Sequence, residues 1–290
     1  MRKAAACALA LIIGLMLVFP ALATAESRKG KPSFTEEKEH GGEGQDRWVL
    51  NNSEISIWFQ GKKPMLKVFG TGEDGNKSGY LLKMERLYET DAHGKETNYI
   101  NLNAASFGWA SSTVEENDEL KLVVSGWDAF WNYADGVIPI PTIRFIFHIN
   151  TTSAEVKFDV VVENWAWKSA DPANATLSLK MLTVSDVATQ SADNEASIGG
   201  KGYMRWEKNA QAANNNGTQD SLEVQAEIGD EGSGSHITLT FNGTGGYQTL
   251  SYDPTIGIYG TNWNLMMGII VLSVAGVVAI VIYAMNKKKE

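Results

Sequence analysis

Cysteine is nearly absent from the chain, because Cys7 is the only one among 290 residues. It lies in an apolar run over residues 4–22, which follows Arg2 and Lys3 and ends at an A-x-A motif, residues 23–25. This pattern predicts a secretory signal peptide over residues 1–25. Its removal leaves a mature chain without a disulfide or a cysteine-based metal site. A cysteine-free exported domain of this size points to an archaeal or bacterial surface.

Charge is missing from residues 265–285, which are rich in Ile, Val, Ala and Gly. A helix of this length spans roughly 31 Å, close to the hydrocarbon thickness of a bilayer. Trp263 and Tyr283 stand where interfacial aromatics belong, and Lys287–Lys289 mark the cytoplasmic side. The sequence therefore predicts a single C-terminal transmembrane helix, a basic cytoplasmic tail over 286–290, and a single-pass type I protein of the cell membrane.

Basic residues are fewer than acidic ones, with 25 Lys and Arg against 34 Asp and Glu and a net charge of −9. An acidic exported domain is a poor nucleic-acid binder, because phosphate contacts need basic clusters. The predicted partners are the lipid bilayer, through 265–285, and a glycan or another surface protein. Ala275 and Ala279 form a small-xxx-small pair, a weak signal for a helix-mediated dimer. Residues 287–290 also resemble a dilysine retrieval tail, which leaves a eukaryotic endoplasmic-reticulum membrane protein as an alternative.

Strong amphipathic helix patterns are missing as well. Residues 26–46 contain Phe34 as their only large apolar side chain and are predicted to form a flexible charged leader. From Trp48 onward, apolar and polar residues alternate with the period of a strand. The clearest case is residues 143–149 and 155–163, which predict an antiparallel hairpin with one buried face.

Short alternating segments separated by Gly and Asn turns predict an all-β fold, an antiparallel β-sandwich ectodomain over residues 47–255. We expect roughly ten to twelve strands in one sandwich. Two smaller sandwiches, divided near residues 187–200, are the alternative. Residues 187–200 and 209–220 show no periodicity and are predicted to be polar loops. Residues 256–264 are predicted to form a short stalk before the membrane.

Catalytic signatures are absent: the sequence has no H-E-x-x-H and no G-x-S-x-G motif. The four histidines are scattered, and His148 is expected to be a solvated side chain on the polar face of a strand. No catalytic residue, metal ligand or cofactor is predicted. The first hypothesis is a non-enzymatic binding or structural module for a glycan, an envelope component or a partner protein. A surface-anchored hydrolase acting on glycans is the alternative.

Aromatic residues are concentrated in one predicted connection between strands. Trp127, Asp128, Trp131, Asn132 and Tyr133 form the candidate binding loop. Rigid rings supply contact area at low entropic cost, and the polar residues beside them can hydrogen-bond a sugar or a partner. The alternative is a loop that folds over the open end of the sandwich and fills the core.

Two further tryptophans interrupt the alternation of the strand over 155–163. Continued alternation from Val156 would place Trp165 and Trp167 on the polar face. Either a bulge at Asn164 changes the register, or that face is covered. Coverage within the same domain is the favoured interpretation.

Glycosylation signals are frequent for an exported chain. An Asn-x-Ser/Thr sequon marks a modified asparagine on an accessible turn. The predicted glycosylation sites are Asn51, Asn76, Asn150, Asn174, Asn216 and Asn242.

Overall fold

The computed structural model describes residues 31–37, 47–60, 64–71, 79–104, 107–116, 119–128, 141–151, 153–184 and 186–259. All strand pairings within these ranges are antiparallel. The predicted all-β antiparallel fold is therefore confirmed. The helical structure in the described ranges is one 3₁₀ turn, Pro172–Asn174.

Nineteen strands occur in these ranges. They are β1 (Ser33–Glu37), β2 (Arg47–Asn51), β3 (Ile55–Gln60), β4 (Met65–Gly70), β5 (Tyr80–Thr90), β6 (Glu96–Asn101), β7 (Phe107–Glu116), β8 (Glu119–Asp128), β9 (Thr142–Asn150), β10 (Glu155–Glu163), β11 (Thr176–Thr183), β12 (Ala188–Ala192), β13 (Glu195–Ile198), β14 (Gly202–Arg205), β15 (Asn209–Ala213), β16 (Gln219–Glu231), β17 (Gly234–Phe241), β18 (Thr249–Tyr252) and β19 (Thr255–Ile258).

Two sheets form the sandwich. Sheet A has the order β1–β2–β3–β4–β5–β11–β17–β16, and β6 shares with β4 one edge of β5. Sheet B runs β7–β8–β9–β10, and the far edge of β10 pairs with both β18 and β19. From there β18 leads to β15 and β16, whereas β19 leads to β14, β13 and β12. Because β16 pairs with β15 at its start and with β17 at its end, it connects the two sheets.

The core lies between the sheets and is built mainly from alternate residues of the longer strands, such as β5, β9 and β10. Phe59 of sheet A meets Phe145 and Phe147 of sheet B at ring-centroid distances of 6.4 and 5.8 Å. The predicted hairpin is present, since β9 and β10 pair from Lys157–His148 to Glu163–Thr142. One continuous hydrophobic cluster extends from Trp48 to Ile256. Burial of one face in the strongly alternating strands is what the alternation predicted.

The strand count and two of the predicted loops need correction. β12 and β13 lie within residues 187–200, and β15 lies within 209–220. Their buried positions are mostly alanines, at 188, 196, 210 and 212, which contrast little in hydrophobicity with their neighbours. Their pairing with β14 and β18 comes from the assembled sheet. Residues 188–205 thus belong to sheet B rather than to a second sandwich.

Strands also extend beyond the expected limits of the sandwich. β1 lies inside residues 26–46, which were expected to be flexible, and it pairs with β2. At the other end, Ile256 of β19 is fully buried in the core, although the stalk was expected to begin there. No helix among the described residues is long and apolar enough to cross a bilayer. The signal peptide 1–25, the predicted span 265–285 and the tail 286–290 lie outside the described residues.

Candidate functional site

The two ends of the sandwich are named here by the residues that mark them. The described chain finishes at Tyr259, directly after β19, whose Gly257 pairs with Glu155 at the start of β10. We call this the proximal end. The opposite, distal end is marked by Glu163, where β10 finishes. Thr142 of β9 pairs with Glu163 there.

The predicted binding loop begins at the distal end. Trp127 and Asp128 are the last two residues of β8, and Trp127 pairs with Thr142. Trp131, Asn132 and Tyr133 lie outside the described residues. The loop therefore remains a prediction, because the described residues include only its first two members, Trp127 and Asp128.

A buried carboxylate organises the distal end. Glu89 of β5 is 0% exposed. Its two oxygens accept hydrogen bonds from Thr97 Oγ1 (2.8 Å) and Trp165 Nε1 (3.0 Å). They also accept from the backbone N–H groups of Lys168 (3.0 Å) and Ser169 (2.6 Å). Glu89 thus fixes residues 165–169 across the end of the sandwich, and this segment is named the distal cap.

The distal cap explains the two tryptophans that broke the alternation. Asn164 has a φ of 58°, a left-handed conformation that turns the chain out of β10 directly after Glu163. Trp165 then enters the core cluster. Trp167 is half-buried and donates from Nε1 to the Tyr247 carbonyl oxygen at 3.3 Å. β10 ends at Glu163, so its alternation does not continue to Trp165 and Trp167, and the favoured interpretation of a covered polar face was wrong.

A tyrosine pair that sequence reasoning missed lies on the outer face of sheet A, towards the distal end. Tyr88 of β5 pairs directly with Tyr99 of β6. The Arg86 guanidinium carbon lies 5.1 Å from the centroid of the Tyr88 ring and 4.7 Å from that of the Tyr99 ring. Arg86 Nη2 donates to Glu96 Oε1 at 2.6 Å. Tyr99 is 55% exposed. These four residues are named the tyrosine patch, and its chemistry is aromatic, polar and charge-compensated.

A sequence signal for this patch existed. Tyr88 and Tyr99 stand on either side of the turn at residues 91–95, where Asp91 Oδ1 accepts from the backbone N–H groups of His93 and Lys95, both at 2.9 Å. A two-strand hairpin around this turn brings the tyrosines together.

His148 differs from the expected solvated side chain, since only 14% of it is exposed. Its Nε2 lies 2.8 Å from Asp159 Oδ2, and its Nδ1 lies 3.3 Å from Glu119 Oε1. The hydrogen bond with Asp159 raises the pKa of His148, and Glu119 adds to this effect. Burial raises the pKa of Asp159, but its interactions with His148 and Lys157 outweigh burial and hold that pKa below its usual value. The pairing of β8, β9 and β10 creates this cluster.

The sequons are distributed over both ends. Asn174 and Asn216 are exposed at the distal end, and Asn150 is exposed at the proximal end. Asn51 and Asn242 are half-buried, and Asn76 lies outside the described residues. The described residues bring together no group of three metal-ligating side chains.

Comparisons with known proteins place the fold in a wider context. No protein-family model matches the chain, and no curated protein matches it. Among solved structures, an α-mannosidase from Enterococcus faecalis V583 is similar, with a TM-score of 0.41 and 9% identity. The match covers 80% of this chain and 36% of the mannosidase chain. A likeness at this level concerns the fold alone and transfers no residue role and no substrate.

The comparison does correct the prediction that the chain is not an enzyme. The similar structure is that of an α-mannosidase, a likeness at a TM-score of 0.41. The missing motifs exclude only the mechanisms that those motifs encode. Catalytic groups meet through tertiary structure, which a search for short motifs does not detect. The exclusion of an enzyme from motif absence was therefore wrong.

Proposed function

We propose that this protein recognises glycans through the tyrosine patch at the distal end of its β-sandwich. The observation that carries the proposal is the exposed Tyr99 ring beside Tyr88 and Arg86 on an open sheet face. The C–H face of a sugar ring is apolar and packs on an aromatic ring, whereas its hydroxyl groups need hydrogen-bonding partners. Arg86 and Glu96 supply donors and acceptors beside the rings.

We further propose that the domain is displayed outside the cell on a membrane anchor. The support comes from the sequence, namely the signal peptide over 1–25 and the uncharged span 265–285 followed by lysines. In this arrangement the chain leaves the domain at Tyr259, at the end opposite the tyrosine patch. The patch then lies towards the end of the domain that is farther from the membrane, where a glycan is accessible. The loop that starts at Trp127 and Asp128 leaves from the same end and is proposed to contribute to binding.

Glycan binding is tested by screening the purified full-length chain on a glycan array and measuring the affinity of each glycan that binds. Tyr99→Ala is expected to weaken binding by at least about tenfold, because loss of an interface aromatic typically removes ~2 kcal/mol. Its folding stability should change little, since the ring is largely exposed. Tyr259→Ala is the matched control, because Tyr259 is a 43% exposed tyrosine at the proximal end. Equal effects of the two substitutions would refute the proposed site.

Outward display is tested by adding protease to intact cells. The expected result is loss of the full-length band while a cytoplasmic marker protein survives, because the folded domain lies outside. A full-length band that disappears only after the cells are permeabilised would contradict the outward orientation.

A further inference from the structure

A single row of side chains crosses the outer face of sheet A and begins at the tyrosine patch. Strand register joins one residue from each of β6, β5, β11, β17 and β16: Tyr99, Tyr88, Ser178, Thr240 and Gln225. Directly opposed residues in neighbouring strands point to the same face of a sheet. With about 4.8 Å between strands, the row is roughly 19 Å long.

The row has the profile of a shallow trough. Ser178 is only 2% exposed, because it is a small residue on a central strand with longer neighbours on both sides. Its hydroxyl lies 3.0 Å from the Thr240 hydroxyl, so Ser178 is closed off beneath its neighbours and the half-buried Thr240 is the hydroxyl residue that the middle of the row presents. Tyr99 and Gln225, at the two ends of the row, are exposed. The trough therefore has an aromatic end and an amide end.

The cations beside the trough already have carboxylate partners. Arg86 is paired with Glu96 at 2.6 Å. Lys180, the next cation along the face, contacts Glu231 at 2.7 Å and Glu85 at 3.3 Å. A surface whose cations are compensated in this way favours a neutral ligand over an acidic one, because binding an anion would require breaking these ion pairs.

We infer that this trough binds a linear, neutral oligosaccharide of about four sugar units, which lies across the strands of sheet A. The inference rests on the function proposed above and adds the ligand class and its orientation. The strand spacing is close to the length of one pyranose ring with its glycosidic bond, so successive sugars lie over successive strands. The first sugar stacks on Tyr99, and the last ones hydrogen-bond to Thr240 and Gln225.

Chain-length dependence is the first test. Isothermal titration of the full-length chain would use neutral cello-, manno- and N-acetylated chito-oligosaccharides of two to six units. In a series that binds, affinity is expected to rise with length up to about four units and then level off. Equal affinity for the dimer and the hexamer would overturn the inference, because the site would then hold only a chain end. Tighter binding of oligogalacturonate than of all neutral chains would overturn the neutral ligand class.

Residue variants separate the inference from the function on which it rests. Gln225→Ala is expected to weaken tetramer binding by roughly fivefold and to leave dimer binding unchanged. Tyr99→Ala should weaken binding at every length. Gln211→Ala, at an exposed glutamine of β15 in sheet B, is the matched control. If Gln225→Ala binds the tetramer as the wild type does, the inference fails, but the proposed glycan binding at the tyrosine patch still stands. If no series binds, or Tyr99→Ala has no effect at any length, the proposed function fails and the inference fails with it.

Discussion

Replacing Glu89 by glutamine should weaken the anchoring of the distal cap and destabilise the domain. The Glu89 carboxylate is fully buried. It accepts hydrogen bonds from the side chains of Thr97 and Trp165 and from the backbone N–H groups of Lys168 and Ser169. Every one of these partners is a donor. Glutamine has nearly the same shape, but one of its two terminal atoms is itself a donor.

The magnitude follows from which oxygen is replaced. The less harmful choice puts the amide nitrogen at Oε2, because Lys168 and Ser169 also contact Oε1, at 3.1 and 2.6 Å. The Trp165 indole N–H, which lies 3.0 Å from Oε2, then loses its acceptor, and the new amide group meets a donor. Each buried unpaired polar group costs about 1–3 kcal/mol. We expect a loss of about 3 kcal/mol, which lowers Tm by roughly 6–12 °C for a domain of this size.

Thermal unfolding followed by tryptophan fluorescence measures this loss. Glu96→Gln is the control on the same hairpin, since that carboxylate is 40% exposed and pairs with Arg86. Its loss should stay below about 1 kcal/mol. Trp165→Phe removes the indole donor, so it should cost less in the Glu89→Gln background than in the wild type. A Glu89→Gln variant as stable as Glu96→Gln would refute the anchoring role of the buried carboxylate.

Two further measurements address charge and modification. Because the pKa of His148 is raised in the folded state, its pairing with Asp159 contributes fully below about pH 6.5 and fades as pH rises through the raised value. His148→Gln should therefore lose more stability relative to the wild type at about pH 6 than at about pH 9 in urea unfolding, and a pH-independent difference would contradict this. Asn216 should carry more N-glycan than Asn242 when the protein isolated from its native cells is mapped by mass spectrometry. Asn216 is exposed, whereas the Thr244 side chain of the Asn242 sequon is buried and bonded to the backbone; equal occupancy would contradict this expectation.

Local alternation was a reliable guide wherever a strand had one apolar and one polar face. The β9–β10 hairpin formed with the expected buried face, because burial of Phe145, Phe147 and Phe158 favours one register. Alternation failed where alanine occupies the buried positions, as at Ala210 and Ala212 of β15. A methyl group differs too little from its neighbours to reveal a pattern, and the hydrogen bonds to β16 and β18 decide the outcome.

Candidate binding residues were harder to recognise than strands. The Tyr88–Tyr99 pair could be reached by counting outward from the turn that starts at Asp91, because a hairpin is a local structure. Its extension to Ser178 and Gln225 could not, because β11 is separated by many residues from β5 and from the β16–β17 hairpin. The expected loop from Trp127 to Tyr133 was found by its aromatic density alone, and that density carries no information about neighbours in space.

By itself, the sequence determined the all-β class and the buried face of each strongly alternating strand, because these depend on neighbours within the same strand. Tertiary structure alone decided that Glu89 meets the distal cap and that Glu119 of β8 joins the His148–Asp159 pair of the β9–β10 hairpin. It also decided that five strands align their outward residues in one row. Each of these arrangements joins residues far apart in the chain. Their proximity depends on the order of strands in the sheets, and the packing energy of the whole domain determines that order.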